Sequence, residues 1–295
     1  LSLHDALPIC ARVLPEAQIA YKTYGALNGD KTNLVLYPTS YGAQHYDIEW
    51  LIGPGRILDP ERFFVVIANM FTNGLSSSPS NCSPELKEGR WPAITHVDNV
   101  YAQRRLLQEV FGVERIAMVY GWSMGSQQAL HWGALFPDEV ARICAICGSA
   151  KTSRHNLVFL EGVKAALTGD PAWRDGWFEG RANRGLRAMG RVYAGWAMSQ
   201  AFYREKLYER TGVNTIEDYI VRFWEGNFLR RDANKFLIKA IIGLISIVFI
   251  FFFGSSALLS DQTQKVAEVD GYAIRDVDLN RRWRLEIRNA QRFNP

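Results

Sequence analysis

With 295 residues, the chain is long enough for one large domain or two smaller ones. Apolar residues make up 48%, and Trp, Tyr and Phe number 9, 12 and 16, which supplies a sizeable core and argues against wholesale disorder. A net charge of +4, with basic and acidic residues mixed along most of the chain, excludes an extended nucleic-acid surface.

The chain opens on Leu1 rather than Met, and LSLHDALPI resembles the in-frame translation of a sequencing adapter. Residues 1–9 are therefore expected to be an artefactual leader, and His4 and Asp5 receive no catalytic weight. The alternating run 18–25 reads as a strand, residues 34–37 as a short buried strand, and FFVVIA at 63–68 as another. The Ser-, Pro- and Asn-rich stretch 69–92 is expected to be a surface excursion. Val97, Val100, Tyr101, Leu106, Leu107 and Val110 recur at helical spacing. A strand at 115–120, a glycine-flanked turn, a helix through Leu135 and a strand at 140–147 follow. Strands alternating with helices imply a parallel sheet covered on both faces. From 150 to 234 the text is helical, rich in Trp, Tyr and Arg, and reads as a lid over a site.

The four cysteines, Cys10, Cys82, Cys144 and Cys147, suggest no disulfide framework. The CxxC of Cys144 and Cys147 lies in a strand-like run, which places the thiols on opposite faces. They are expected to be buried structural thiols rather than a redox or metal pair, and no metal site is expected. Residues 240–259, AIIGLISIVFIFFFGSSALL, carry no charge and match the roughly 20 residues a bilayer core requires. A transmembrane helix over 235–260 is expected, with Arg230, Arg231, Lys235 and Lys239 marking the cytoplasmic side.

The segment RIAMVYGWSMGSQQALHW carries the chemistry. A buried strand runs into Gly121-Trp122-Ser123-Met124-Gly125, and a helix begins at once, which is the G-x-S-x-G pattern in the context it needs. The glycines let strand and helix backbones approach. Ser123 is left at the tip as candidate nucleophile. It stands at a helix N-terminus, where the Met124 N–H is a candidate donor to a developing oxyanion.

On AYKTYGALN, LIGPGRILDPERFFVVIAN, GWSMGSQQALHWGALFPDEV and SAKTSRHNLVFLEGVKAALTGDPAW, most of residues 20–234 resembles the homoserine O-acetyltransferase group of the α/β-hydrolase superfamily. The resemblance implies an α/β-hydrolase core over 10–149 and a helical lid over 150–234. It implies transfer of an acyl group from acyl-CoA to a small hydroxyl acceptor through acyl-Ser123, with no bound cofactor. It also places the second oxyanion donor at about Ser40. Two departures alter the pocket: PTSYG where the family has HALTG, and GWSMGS where it has GGSMGG. The acceptor therefore stays open, as does a serine hydrolase of the same fold. A homodimer is likewise left open.

In this fold the triad Asp and His follow the lid. After Ser123 the histidines are His131, too far along the nucleophile helix to reach back, and His155, which opens the lid. His45 follows the Ser40 loop and is expected to line the pocket without serving as the base, and His96 precedes a helix and is expected to cap it in solvent. The triad Asp and His are thus expected to be absent, and little or no turnover is expected of the chain. The tail, KVAEVDGYAIRDVDLN onward, resembles the membrane anchor and N-terminal segment of SurA- and PpiD-type folding factors, with a hairpin and helix over 261–295. A truncated acyltransferase-like domain joined to a truncated anchor segment is the simplest account. The expected placement is a cytoplasmic hydrolase part, one inner-membrane span and a periplasmic C-terminus. The rival from another class is a non-catalytic, membrane-tethered folding-factor-like protein.

Overall fold

LVLYP and FVVIA are continuous apolar runs, and such runs form strands covered on both faces. The computed structural model describes residues 16–87 and 89–236, together with the strands Ser2–Leu3, Leu7–Ile9, Arg12–Leu14, Lys265–Val269 and Tyr272–Arg275. The central sheet has five strands: β1 (Tyr21–Tyr24), β2 (Leu34–Pro38), β3 (Phe64–Ala68), β4 (Met118–Trp122) and β5 (Ile143–Ile146). Their spatial order is β1-β3-β2-β4-β5. β2, β3, β4 and β5 are parallel, whereas β1 runs antiparallel to β3 with Tyr21 opposite Ala68. The sheet is therefore mixed, which corrects the all-parallel expectation. Alternation along β1 reports a half-covered strand but not its direction.

The period of two along the inner strands separates two cores. Leu34, Leu36, Phe64, Val66, Ala68 and Val119 face one way, against Val100, Leu106, Leu107 and Trp132. Those partners come from α2 (His96–Phe111) and α3 (Met124–Leu135). Val35, Tyr37, Val65, Ile67 and Tyr120 face the other way, under Ile48, Leu51, Ile52 and Leu58. Ile48 ends the short helix α1 (His45–Ile48). α2 starts at a capping box, in which Thr95 accepts from the Asp98 N–H and Asp98 accepts from the Thr95 N–H.

The first part of the stretch expected to be a surface excursion, residues 69–78, is anchored instead, while most of the described residues in 80–90 are exposed. Asn69, Asn73, Ser76 and Ser78 are buried. Asn73 donates to Asn69 Oδ1 at 2.9 Å and to the Ala43 carbonyl at 3.0 Å, and Ser76 Oγ donates to the Asn69 carbonyl at 2.6 Å. These short polar side chains replace the backbone ladders that the segment lacks.

Beyond β5 the structure is mostly helical: α4 (Arg154–Thr168), α5 (Asn183–Ala197), a π-helix at Tyr219–Glu225 and a turn at Gly226–Leu229. A two-residue ladder pairs Trp173–Arg174 with Trp177–Phe178, although no strand was expected there. This region buries Phe178, Tyr208, Tyr219, Trp224 and Phe228 around Leu186 and Met189. Glu225 is only 4% exposed, and its carboxylate accepts from Arg187 and Arg191 at 2.6 Å each. Burial pushes the Glu225 pKa up, but the hydrogen bonds and charges of the two arginines outweigh it and hold the carboxyl below its usual range.

Ser2–Leu3 pairs with Ala17–Gln18, and Leu7–Ile9 pairs with Arg12–Leu14, so residues set aside as a leader form backbone ladders. A separate compact unit, Val248–Pro295, contains an antiparallel hairpin of Lys265–Val269 with Tyr272–Arg275. Among the described residues, no helix is long and apolar enough to cross a membrane. That finding overturns the expected placement with a cytoplasmic part, an inner-membrane span and a periplasmic C-terminus. Residues 240–259, on which the span rested, lie outside the described residues, as does the helix expected after 276.

Candidate active site

β4 ends at Trp122, α3 begins at Met124, and Ser123 alone makes the turn. Its backbone sits at φ 52°, ψ −120°, a region where a non-glycine residue costs on the order of 1–3 kcal/mol. The surroundings hold it there. The Ser123 N–H donates to the Ile146 carbonyl of β5 at 2.8 Å. The Ser123 carbonyl accepts from Ser126 Oγ at 2.6 Å and from the Ser126 N–H at 3.0 Å. A Cβ on Gly121 would lie 2.3 Å from the Gly125 carbonyl oxygen, and one on Gly148 would lie 1.5 Å from Ser126 Oγ. Strand, turn and helix therefore close only with glycine at both places.

Ser40 follows β2, and its hydroxyl donates to the Trp122 carbonyl at 2.5 Å. Ser40, Ser123 and Met124 line one cleft of about 980 Å³. The Met124 N–H belongs to the first turn of α3, where no intrahelical acceptor exists, so it is free to face a ligand oxygen. The three residues singled out from the sequence are thus brought together.

None of the four described histidines lines this cleft. His45 bonds Asn69 at 3.3 Å and stands 4.0 Å from Glu49. His96 is buried beside His131, with ring centroids 5.3 Å apart, and its Nε2 meets Gln127 Oε1 at 3.1 Å. Burial, with the neighbouring His131, lowers the His96 pKa to about 3, so it is a neutral core residue rather than a solvated cap. His131 Nδ1 lies 2.7 Å from the Gln127 carbonyl, and burial lowers its pKa too. His155 packs on Trp196 at 4.6 Å. Among the described residues, no cluster of three or more His, Cys, Asp or Glu could hold a metal.

The cleft contains residues that sequence patterns did not reveal. Arg231 Nη2 donates to Asp47 Oδ2 at 2.7 Å, tying the end of the helical region to α1. Cys147 lines the cleft at φ 54° and is exposed, while Cys144 is half-buried, which corrects the expectation of buried thiols. Cys147 lies just past the carboxyl end of β5, beside the Ser123 strand, so the topology positions it in a cleft that strand alternation does not report. Tyr41 and Tyr193 are lining phenols kept neutral by burial, which raises both pKa values.

Residues 42–236 match the family model described as the α/β hydrolase fold. The chain belongs to the α/β hydrolase family. An ethyl acetate hydrolase from Pseudomonas veronii is 35% identical to it over 232 residues, 78% of this chain and 66% of that relative. A homoserine O-acetyltransferase from Rhodopseudomonas palustris is 36% identical over 198 residues, 61% of this chain and 49% of that relative. The solved acetylester hydrolase from Corynebacterium glutamicum superposes with a TM-score of 0.77 at 32% identity, covering 80% of this chain and 69% of that one. This α/β hydrolase thus spans less than two thirds of the length of the curated relatives named here. Residues 227–295 match a SurA-like N-terminal domain, overlapping the end of the hydrolase match.

Proposed function

We propose that the α/β hydrolase domain acts on small carboxylic esters through an acyl-Ser123 intermediate, with water as the final acceptor. The observation that carries the reading is Ser123 itself, held at positive φ between β4 and α3 on the floor of the cleft. The similarity to ester hydrolases over more than three quarters of the chain favours water over a dedicated hydroxyl acceptor.

Ser123 Oγ attacks the ester carbonyl carbon, its proton passes to solvent water, and solvent returns a proton to the departing alcohol oxygen. The carbonyl oxygen becomes an oxyanion facing the N–H groups of Met124 and Ser40. The alcohol leaves, and water then releases the acid. No described histidine reaches the cleft, so the first half-reaction, driven by an activated ester, is expected to outrun the second. The rival acyl transfer, from acyl-CoA to a hydroxyl acceptor, shares the first half and differs only in the nucleophile of the second.

Incubation with p-nitrophenyl acetate tests the reading. An acetyl adduct on Ser123 is expected by peptide mass mapping, and Ser123→Ala is expected to abolish that adduct together with the stoichiometric burst of p-nitrophenol that accompanies it. A burst that survives Ser123→Ala, or an adduct confined to other residues, overturns it. Adding a hydroxyl acceptor separates the rivals: faster deacylation with an acetylated acceptor as product supports the transferase.

A further inference from the structure

We propose that this cleft selects esters whose larger group is a neutral aromatic ring, received between the indoles of Trp50, Trp122 and Trp196. The inference rests on the acyl-Ser123 reading and names its substrate class. Tryptophan is among the more thoroughly buried residue types on average. Here Trp50 is 57% exposed and Trp122 and Trp196 are each 39% exposed, yet all three line the Ser123 cleft. Trp122 directly precedes Ser123 and lines the same cleft. Trp50 meets Trp122 edge-to-face with centroids 6.1 Å apart, fixing one wall. On the wall from the helical region, Trp196 stacks on Phe159 at 4.6 Å with planes 9° apart. Each wall is packed on a neighbouring ring before any ligand arrives, and preorganised rings bind at lower entropic cost.

Size and charge narrow the occupant. A cleft of about 980 Å³ lies at the top of the range for small-molecule sites, so an ester with two short alkyl groups leaves most of it to water. Aromatic walls also suit a quaternary ammonium. Lys151 and Arg231 line the same cleft, however, and Asp47, the one lining carboxylate among the described residues, is already bound to Arg231. A cationic ester would meet net positive charge, and a neutral ring would not.

The test separates binding from turnover. Ser123→Ala is titrated with benzyl acetate, cyclohexylmethyl acetate and acetylcholine by ligand-observed saturation-transfer NMR. The first two have similar size and alcohols of similar acidity. Benzyl acetate is expected to bind about tenfold tighter than its saturated counterpart, as two new aromatic pairs give. Trp50→Ala and Trp196→Ala are expected to erode that ratio, and Trp196→Phe to keep it. Equal binding of the two neutral esters, a ratio that survives Trp50→Ala/Trp196→Ala, or a preference for acetylcholine overturns the proposal. Failure of the underlying reading looks different: benzyl acetate binds, but the chain with Ser123 intact yields no acetyl adduct.

Discussion

The sheet region and the helical region of this α/β hydrolase bury their side chains by different rules. Between Leu34 and Trp132 the core is mostly aliphatic, split by strand alternation into two faces. Between Val163 and Phe236 it is much richer in aromatic rings, with Tyr193 packed against Phe159 and Phe228, and a buried glutamate clamped by two arginines. Aliphatic strands fix backbone positions closely, and that is what Ser123 needs. Aromatic helices present broad ring faces, and those shape one wall of the cleft. Position comes from the sheet half, and the shape of the cleft comes from rings of both halves, Trp50 and Trp122 on one side and Trp196 on the other.

The contrast can be broken from either side. The largest effect is expected at Gly121→Ala, whose added Cβ meets only backbone, at 2.3 Å from the Gly125 oxygen and 2.6 Å from Ser126 Cα. A loss of about 3 kcal/mol is expected by urea unfolding, together with loss of Ser123 acylation. A stable, acylated Gly121→Ala protein would mean that the turn adapts.

The two halves also differ in acid sensitivity. Folded His96 takes up a proton only near pH 3, whereas its unfolded counterpart does so near 6.5. Its contribution is complete above pH 6.5 and declines as pH falls toward about 3, where the folded form also protonates. Between pH 7 and pH 5 this amounts to about 2 kcal/mol. His96→Asn is expected to flatten that part of the stability curve; an unchanged slope would assign it elsewhere.

Glu225 acts lower. Its folded carboxyl lies below the usual range, so its contribution is present above about pH 4.3 and is lost as pH falls through the folded value. Glu225→Gln should leave the slope above pH 5 intact and flatten the acid limb. Because Arg187 and Arg191 are half-exposed, the cost at pH 7 is expected to be about 1–2 kcal/mol, checked by thermal melts.

Much of the site was legible in the sequence because it is local. A buried strand, GWSMG and a helix lie within one run, and the apolar runs of β2 and β3 announced covered strands. Ser40 was placed by resemblance to a known group and stands in the same cleft. What stayed hidden depends on contacts distant in sequence. Asp47 and Arg231 are separated by 184 positions, and nothing in either neighbourhood marks the pairing. The polar network of Asn69, Asn73, Ser76 and Ser78 looked like loop chemistry because buried and exposed Asn and Ser read alike. His96 sits at the first position of α2, where a cap and a core residue share the same spacing.

The Asp47 to Arg231 pair also bears on biosynthesis. The strands and helix that shape Ser123 lie between Leu34 and Ile146, so they can be assembled while residue 231 is still inside the ribosome. Closing so long a loop adds little entropy beyond closing one half as long, about 0.6 kcal/mol per doubling. It does require the partner to have been made. A nascent chain arrested once Ser149 has cleared the ribosome, but before residue 231 has been made, would therefore expose the serine turn without the helical wall of its cleft, and a serine-directed probe applied to chains arrested at successive lengths would time the arrival of that wall.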